Sequence, residues 1–325
     1  MTPLQFEARH AAVWNELEAA LEPSPRQRRG TRAADRARVA ALYRAACEHL
    51  AIAESRSYPV WLIDRLGALT ARGHQLVYAQ RDFGIDKLRR LFGVDFPAAV
   101  RAHRLHVLIS LVVFLVPLVV VGVMSYLDPG FVLSLHDASA VDDYEKMYGD
   151  ADGPIGRRTA ASDWAMFGFY IRHNIGIAFQ CFAGGLFFGI GSLFVVALNG
   201  ALAGSVAGYL TWRGHGENFY SFVITHGAFE LTGIVLAGAA GLALGHALLV
   251  PGRRSRLAAL ELAARRAIVI VYGMTAMFVV AAALEAFWSS ARWVPVHVKF
   301  TVGAACWVAV IAYFLFQGRP ARVRP

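Results

Sequence analysis

The chain has 325 residues, 57% of them hydrophobic and 17% charged, and its mean hydropathy is +0.45. Such proportions exclude an ordinary water-soluble globule, and the long uncharged runs assign the net charge of +9 to a membrane surface. Nucleic acid is excluded as a partner, because no basic cluster is interleaved with stacking aromatics and no zinc-finger or RNA-binding signature occurs.

The first twenty-one residues carry Glu7, Arg9, His10, Glu16 and Glu18 where a secretory signal would be apolar, so the chain is expected to start near Met1 without a cleaved leader. Phe6, His10, Val13, Trp14, Leu17 and Leu21 recur at helical spacing, and Glu22, Pro23 and Pro25 stop that helix. A second helix is expected over Ala33 to Glu54, with Val39, Leu42, Tyr43, Ala46 and Leu50 on one face and Arg36, Arg38 and Arg44 elsewhere. Pro59 opens a third, carrying Leu62, Leu66, Leu69, Leu76 and Val77. Phe83 to Val94 reads as a shorter basic amphipathic piece that ends at Phe96 and Pro97. Residues 1–104 therefore form an amphipathic helical head. Up to Leu105 it has 17 basic and 11 acidic residues, net +6, which suits a module lying against an anionic bilayer.

Beyond Leu105 the composition becomes that of a membrane body. Five hydrophobic blocks follow: Leu105 to Leu127, Ile175 to Trp212, Phe219 to Val250, Ala267 to Trp288 and Val294 to Phe316. A crossing needs about 20 residues, and the second block has 38 with Asn199-Gly200 inside it. The connection from Asp128 to Asn174 has 4 basic and 8 acidic residues, net −4, whereas Pro251 to Arg266 has 5 arginines and one Glu. The tail from 318 to 325 adds Arg319, Arg322 and Arg324. Head, arginine loop and tail all belong in the cytoplasm by the positive-inside rule. Five crossings would put the arginine loop outside; six satisfy every flank if the second block crosses, breaks at Asn199-Gly200 and returns through a short piece, Ala201 to Trp212. The fold expected is an all-α polytopic bundle of about six crossings, one short or broken, spanning 105–317 with an external acidic connection at 128–174. Asp142, Asp143, Glu145, Asp150 and Asp152 lack the EF-hand register and read as a solvated loop. Trp164, Phe167, Phe169 and Tyr170 end that loop as an aromatic belt or a short surface helix, and Asn218 to Tyr220 reads as a further outer anchor.

Within the body, His226 and Glu230 share one helical face, with Glu230 close to mid-bilayer. Two roles fit. One is an interhelical hydrogen bond, with a protonated Glu230 donating to backbone or to Asn199; the other is a proton or ion site, or two ligands of a metal needing further partners. Glu285 and Lys299 stand at facing ends of adjacent spans and are expected to pair. His173-Asn174 and Asn199-Gly200 flank the broken block, where freed backbone groups need polar partners and where transporters place ligands. Asn174, Asn199, His226, Glu230, Glu285 and Lys299 are thus the candidate intramembrane polar site. Glycines at four-residue steps, Gly185 and Gly189, then Gly200, Gly204 and Gly208, then Gly241 and Gly245, allow close helix packing within the chain or between two copies. Cys47, Cys181 and Cys306 are too scattered for a disulfide or CxxC site and read as small core residues. No HExxH, GxSxG or paired-aspartate motif accompanies the polar residues, so no catalytic residue, cofactor or metal is assigned.

Several segments in order, the F-E-x-x-R/H-x-x-x-W-x-x-L-E pattern at Phe6, YIRHNIGIAFQCFAGG at Tyr170, LNGALAG at Leu198, THGAFELTGIVLAGAAGLALG at Thr225, PGRRSRLAAL at Pro251 and ALEAF at Ala283, resemble the stage II sporulation protein M family of integral membrane proteins. The resemblance covers nearly the whole chain; His173-Asn174 stands where members usually carry an Asn-Asn-like pair. It implies a noncatalytic scaffold in the bacterial cytoplasmic membrane, and the arginine distribution expects both termini in the cytoplasm. Its partners would be the lipid bilayer, other envelope or cell-wall remodelling proteins, and a second copy of itself. The rival expectation is a transport-type protein for a small polar or lipidic substrate, built on the broken block and Glu230.

Overall fold

The structure is a computed structural model that describes residues 1–22, 33–78, 84–149, 160–291 and 293–319. Pro23, Pro25, Phe83, Asp150, Asp152, Arg322 and Arg324, used in the sequence reading, lie outside them. The chain forms two compact units, Met1–Ile85 and Asp86–Pro325, and regular structure among the described residues is entirely helical.

The first unit holds α1 (Pro3–Leu21), α2 (Ala33–Ser55) and α3 (Val60–Tyr78), close to the three expected helices. α1 starts where it does because Thr2 and Gln5 cap it reciprocally: the Gln5 amide donates to Thr2 Oγ1 at 3.3 Å, and the Thr2 amide donates to Gln5 Oε1 at 3.1 Å. Phe6, Trp14 and Leu17 from α1 bury against Leu42 and Ala46 of α2 and Leu62, Leu66 and Leu69 of α3. The three helices thereby close a core of their own. Inside it, Trp14 Nε1–H of α1 donates to His49 Nδ1 of α2 at 3.0 Å, a bond that requires the unprotonated nitrogen.

The second unit begins with α4 (Ile85–Arg90), which passes through a π-helical turn (Leu91–Asp95) into α5 (Phe96–Ala102). Composition grouped this stretch with the head, and expected the helix to end at Phe96 and Pro97. Instead Phe96 is fully buried against Gly273, and Pro97 sits in the first turn of α5, where its missing N–H costs nothing. Charge content marked the boundary near Leu105, whereas packing places it near residue 85.

The membrane-type helices follow: α6 (Arg104–Leu127), α8 (Ala160–Ala183), α9 (Ile190–Trp212), α10 (Gly216–Leu249), α11 (Arg256–Ala283, prolonged by a π-helical turn Leu284–Ser289) and α12 (Val296–Phe316). All but α8 are long and apolar enough to cross a membrane; α8 has 24 residues, about 36 Å at 1.5 Å per residue. Between α6 and α8 lie a 3₁₀ turn (Pro129–Ser134) and α7 (Ala138–Tyr148). Gly200, Gly204 and Gly208 face Phe114, Leu118 and Gly122 in ascending order, so α6 and α9 run parallel and α8 returns between them. Gly185 and Gly189 meet Gly241 and Gly245, which puts the end of α10 beside the start of α9. Arg101 donates to the carbonyls of Phe314 and Gln317 at 2.9 and 2.7 Å, bringing the end of α12 to the start of α6. The six helices therefore alternate in direction, and α5, the Pro251–Arg254 loop and Gly318 share one end.

Against the six crossings expected, five helices among the described residues are long and apolar enough to cross, with α8 as a further helix of the bundle, and the expected break is not found. Asn199-Gly200 lies inside the unbroken α9, and Ala201–Trp212 is its second half rather than a separate short crossing. The chain turns at Gly184–Gly189, where Gly184 packs on the backbone of Gly191 and Gly189 takes φ +86°, a left-handed conformation that glycine adopts without strain. Trp164, Phe167, Phe169 and Tyr170 are consequently part of α8, not a surface helix; Trp164 and Phe167 pack edge-on and tilted against Phe287. The acidic connection is likewise more than a solvated loop. Val141 and Tyr148 occupy one face of α7 and bury with Val132 against Tyr209, Leu210 and Phe222. All three cysteines are free.

Large apolar side chains face outward along α6 and α12, including Leu108, Val112, Val119, Val308 and Ile311, while small residues meet at the helix contacts. A Cβ on Gly204 would lie 2.2 Å from the Leu118 carbonyl oxygen, and one on Gly176 would meet nothing within 4 Å. Gly204→Ala should destabilise the protein by about 1–3 kcal/mol, and Gly176→Ala should be neutral or slightly stabilising, by up to about 1 kcal/mol. Thermal unfolding in detergent compares them, and equal effects would show that the α6/α9 seam yields.

Burial in the head, and secondarily His10, holds the His49 pKa below its ordinary value. A histidine with a depressed native pKa contributes stability that is full above about pH 6.5 and falls as pH drops below it. Residues 1–85 should melt at lower temperature at pH 5 than at pH 7.5, and His49→Gln should reduce that difference. An unchanged pH slope in the variant would rule out His49 as its source.

Candidate functional site: a polar cluster inside the bundle

α10 is the central helix, touching α6, α8, α9, α11 and α12. Thr225 and His226 on it are therefore buried among these helices. His226 is 4% exposed, and one turn further along α10 stands Glu230, with His226 Nε2 at 3.9 Å from Glu230 Oε2. The π-helical turn at the end of α11 brings Glu285 to the same place. Donor atoms of His226, Glu230 and Glu285 all lie within 4.8 Å of one another. A π turn adds a residue to the helical repeat and re-aims the side chains around it, a distortion common at functional positions.

Ser289, one turn beyond Glu285, fixes the imidazole: its hydroxyl lies 3.0 Å from His226 Nδ1. Lys299 Nζ donates to the Ser289 carbonyl at 2.8 Å, and Thr225 Oγ1 donates to the Lys299 carbonyl at 3.4 Å. Lys299 thus meets a carbonyl where the sequence suggested the Glu285 carboxylate, and Glu285 groups with His226 and Glu230. The two helix ends do come together, but an ammonium on a flexible stem reaches the carbonyl that the π turn exposes.

Asn174 is 2% exposed and its amide nitrogen has no hydrogen-bond partner among the described residues. It sits one turn from Tyr170, which buries with Ala282 and Ala286 beside Glu285, and one turn from buried Ala178. Asn199 does not join the site: its amide donates to the Val195 carbonyl of its own helix at 2.8 Å, so it serves neither Glu230 nor a helix break.

The end of the site nearest α7 is covered by Tyr148, the last residue of α7, whose ring packs edge-on against Phe219 and Phe222. Phe222 in turn meets the His226 ring at 5.3 Å. Burial, then the field of Glu285, pushes the Tyr148 phenol well above its ordinary range. Asn218 donates to the Tyr148 carbonyl at 2.8 Å, so the expected outer anchor at Asn218 to Tyr220 holds α7. Glu145 adds a clasp. It accepts from the Tyr209 hydroxyl and from Arg213, at 2.8 Å, and these bonds hold its carboxyl below the usual range.

Sequence reading singled out neither Ser289 nor Tyr148. A Ser pair closing a span, and the Val141, Tyr144, Tyr148 spacing within the acidic connection, are the signals that could have found them. Chemically, one imidazole and two carboxylates in a dry interior can hold a proton or a cation.

Neither curated proteins nor solved structures give a significant match. A family model described as a domain of unknown function (DUF8413) matches residues 4–79, close to the extent of the three-helix head. The model of Stage II sporulation protein M matches residues 110–290, more than half of the chain, including α8, α10 and the π turn that build the polar cluster. The chain belongs to the stage II sporulation protein M family.

Proposed function

We propose that this protein is a noncatalytic scaffold of the bacterial cytoplasmic membrane, which gathers envelope proteins through its head and its outer α7 segment. The observation that carries this reading is the head itself: a three-helix unit with a closed core of its own that leaves apolar side chains outside it. Tyr58 donates to the Met1 carbonyl at 3.0 Å, and around that contact Met1, Leu4, Val60 and Trp61 are 50% exposed or more. An exposed apolar group on an independently packed module is a docking surface rather than core that failed to bury. The α6–α12 bundle is the anchor, with head, arginine loop and tail in the cytoplasm and α7 outside, in keeping with the arginine distribution.

A second reading, transport of a small polar or lipidic substrate, is favoured by the His226, Glu230 and Glu285 cluster, since ionisable groups inside a bundle mark ion and proton paths.

One experiment separates the two. Full-length protein carrying Leu4→Asp and Trp61→Asp is compared with wild type by crosslinking and affinity capture from native membranes, and purified wild type is assayed for proton and cation flux in liposomes. The scaffold reading expects the double variant to insert and melt like wild type, to lose envelope partners about tenfold, and wild type to conduct nothing. Undiminished capture by the variant would reject the head as the docking module; flux through wild type would favour transport.

A further inference from the structure

We propose that His226, Glu230 and Glu285 form a binding site for one divalent transition-metal ion, which ties the centre of α10 to the π-helical turn ending α11. This assignment stands apart from the scaffold reading and needs no partner protein.

Geometry supplies the first support. Three donor groups of the types that bind zinc, manganese(II) or iron(II), an imidazole nitrogen and two carboxylates, converge within 4.8 Å. Donors around a tetrahedral ion at ~2.0–2.2 Å stand about 3.3–3.6 Å from each other. Small side-chain rotations close the remaining gap. Three protein donors leave a coordination position for water, as in metal sites that are not fully enclosed by protein. An imidazole ligand disfavours calcium and magnesium, which prefer all-oxygen sites.

The way His226 is held is independent of that convergence. A ligating histidine offers one ring nitrogen to the metal while the other is fixed by a neighbour. Here Nδ1 is engaged by Ser289 Oγ at 3.0 Å, and Nε2 is turned toward Glu230 at 3.9 Å. Ser289 is fixed through its carbonyl by Lys299 at 2.8 Å. The lysine therefore orients the backbone around the site, and its ammonium is directed at a carbonyl.

Electrostatics adds a third argument. Two carboxylates converging with an imidazole at this separation favour a cation placed between them. A divalent ion bound there would link α10 to α11. Buried Asn174, whose amide nitrogen is without a partner among the described residues, lies one turn from Tyr170 on the α8 face that packs beside Glu285.

The test uses full-length protein purified in detergent, stripped with a chelator and titrated with zinc and with cobalt(II). Wild type is expected to bind about one equivalent of zinc per chain, to melt at higher temperature when loaded, and to give visible cobalt d–d bands that zinc abolishes. His226→Gln and Glu285→Gln should each lower affinity at least tenfold and lose the cobalt bands. Where either variant fails to fold, the wild-type stoichiometry and cobalt spectrum decide alone. Folded wild type that takes up neither metal would overturn the proposal, as would variants that bind as tightly as wild type; a shared proton would then be what joins the carboxylates.

Discussion

Hydrocarbon offers helices no reason to bury apolar side chains, so this bundle is held together where backbones touch. Along α6 and α9, Gly200, Gly204 and Gly208 bring one helix onto the carbonyl oxygens of the other, and along α10 the pairs Gly185 with Gly241 and Gly189 with Gly245 do the same for the α8–α9 turn. These approaches fix α10 as the axis of the bundle. Its most apolar stretch is 67% buried, against 11% for α6. Everything polar that α10 carries must then be matched by another helix.

That matching is visible throughout. Ser110 of α6 donates to the Val235 carbonyl of α10 at 2.8 Å, and Trp307 of α12 donates to the Ile224 carbonyl at 3.1 Å. Ser192 of α9 donates to the Cys181 carbonyl of α8 at 2.6 Å. Each is a polar group inside the bundle joined to a neighbouring helix. The cluster of His226, Glu230, Glu285, Ser289 and Lys299 is the same principle at higher charge, and it lies below a lid formed by Tyr148. Ionic and hydrogen-bonded groups in such a cluster specify which helices meet and in what register.

The legible part of this fold was whatever local periodicity encodes. The head helices, the five apolar blocks and the pairing of His226 with Glu230 follow from side-chain spacing along one element. What escaped was decided between elements. Asn199-Gly200 looks like a break because both residues are polar or small, but Asn199 bonds back to Val195 and Gly200 is needed for contact with Phe114. The real turn, around Gly189, sits in an aromatic run where hydropathy shows nothing. Phe96 and Pro97 read as a terminus, although the unusually close approach of Phe96 to Gly273 makes them core. Glu285 joined His226 rather than Lys299 because a π turn, which no spacing rule anticipates, redirected it.

Alternation of six helices is the claim on which the rest hangs, since it places the arginine loop, Gly318 and α5 at one end and α7 at the other. Single cysteines at Gly214 and Gly252, introduced into a chain cleared of its three native cysteines and labelled from each side of sealed vesicles, test it directly. The account predicts that Gly214 and Gly252 label from opposite sides, with Gly252 on the side of Arg319. Labelling of both positions from one face, or Gly252 opposite Arg319, would contradict it.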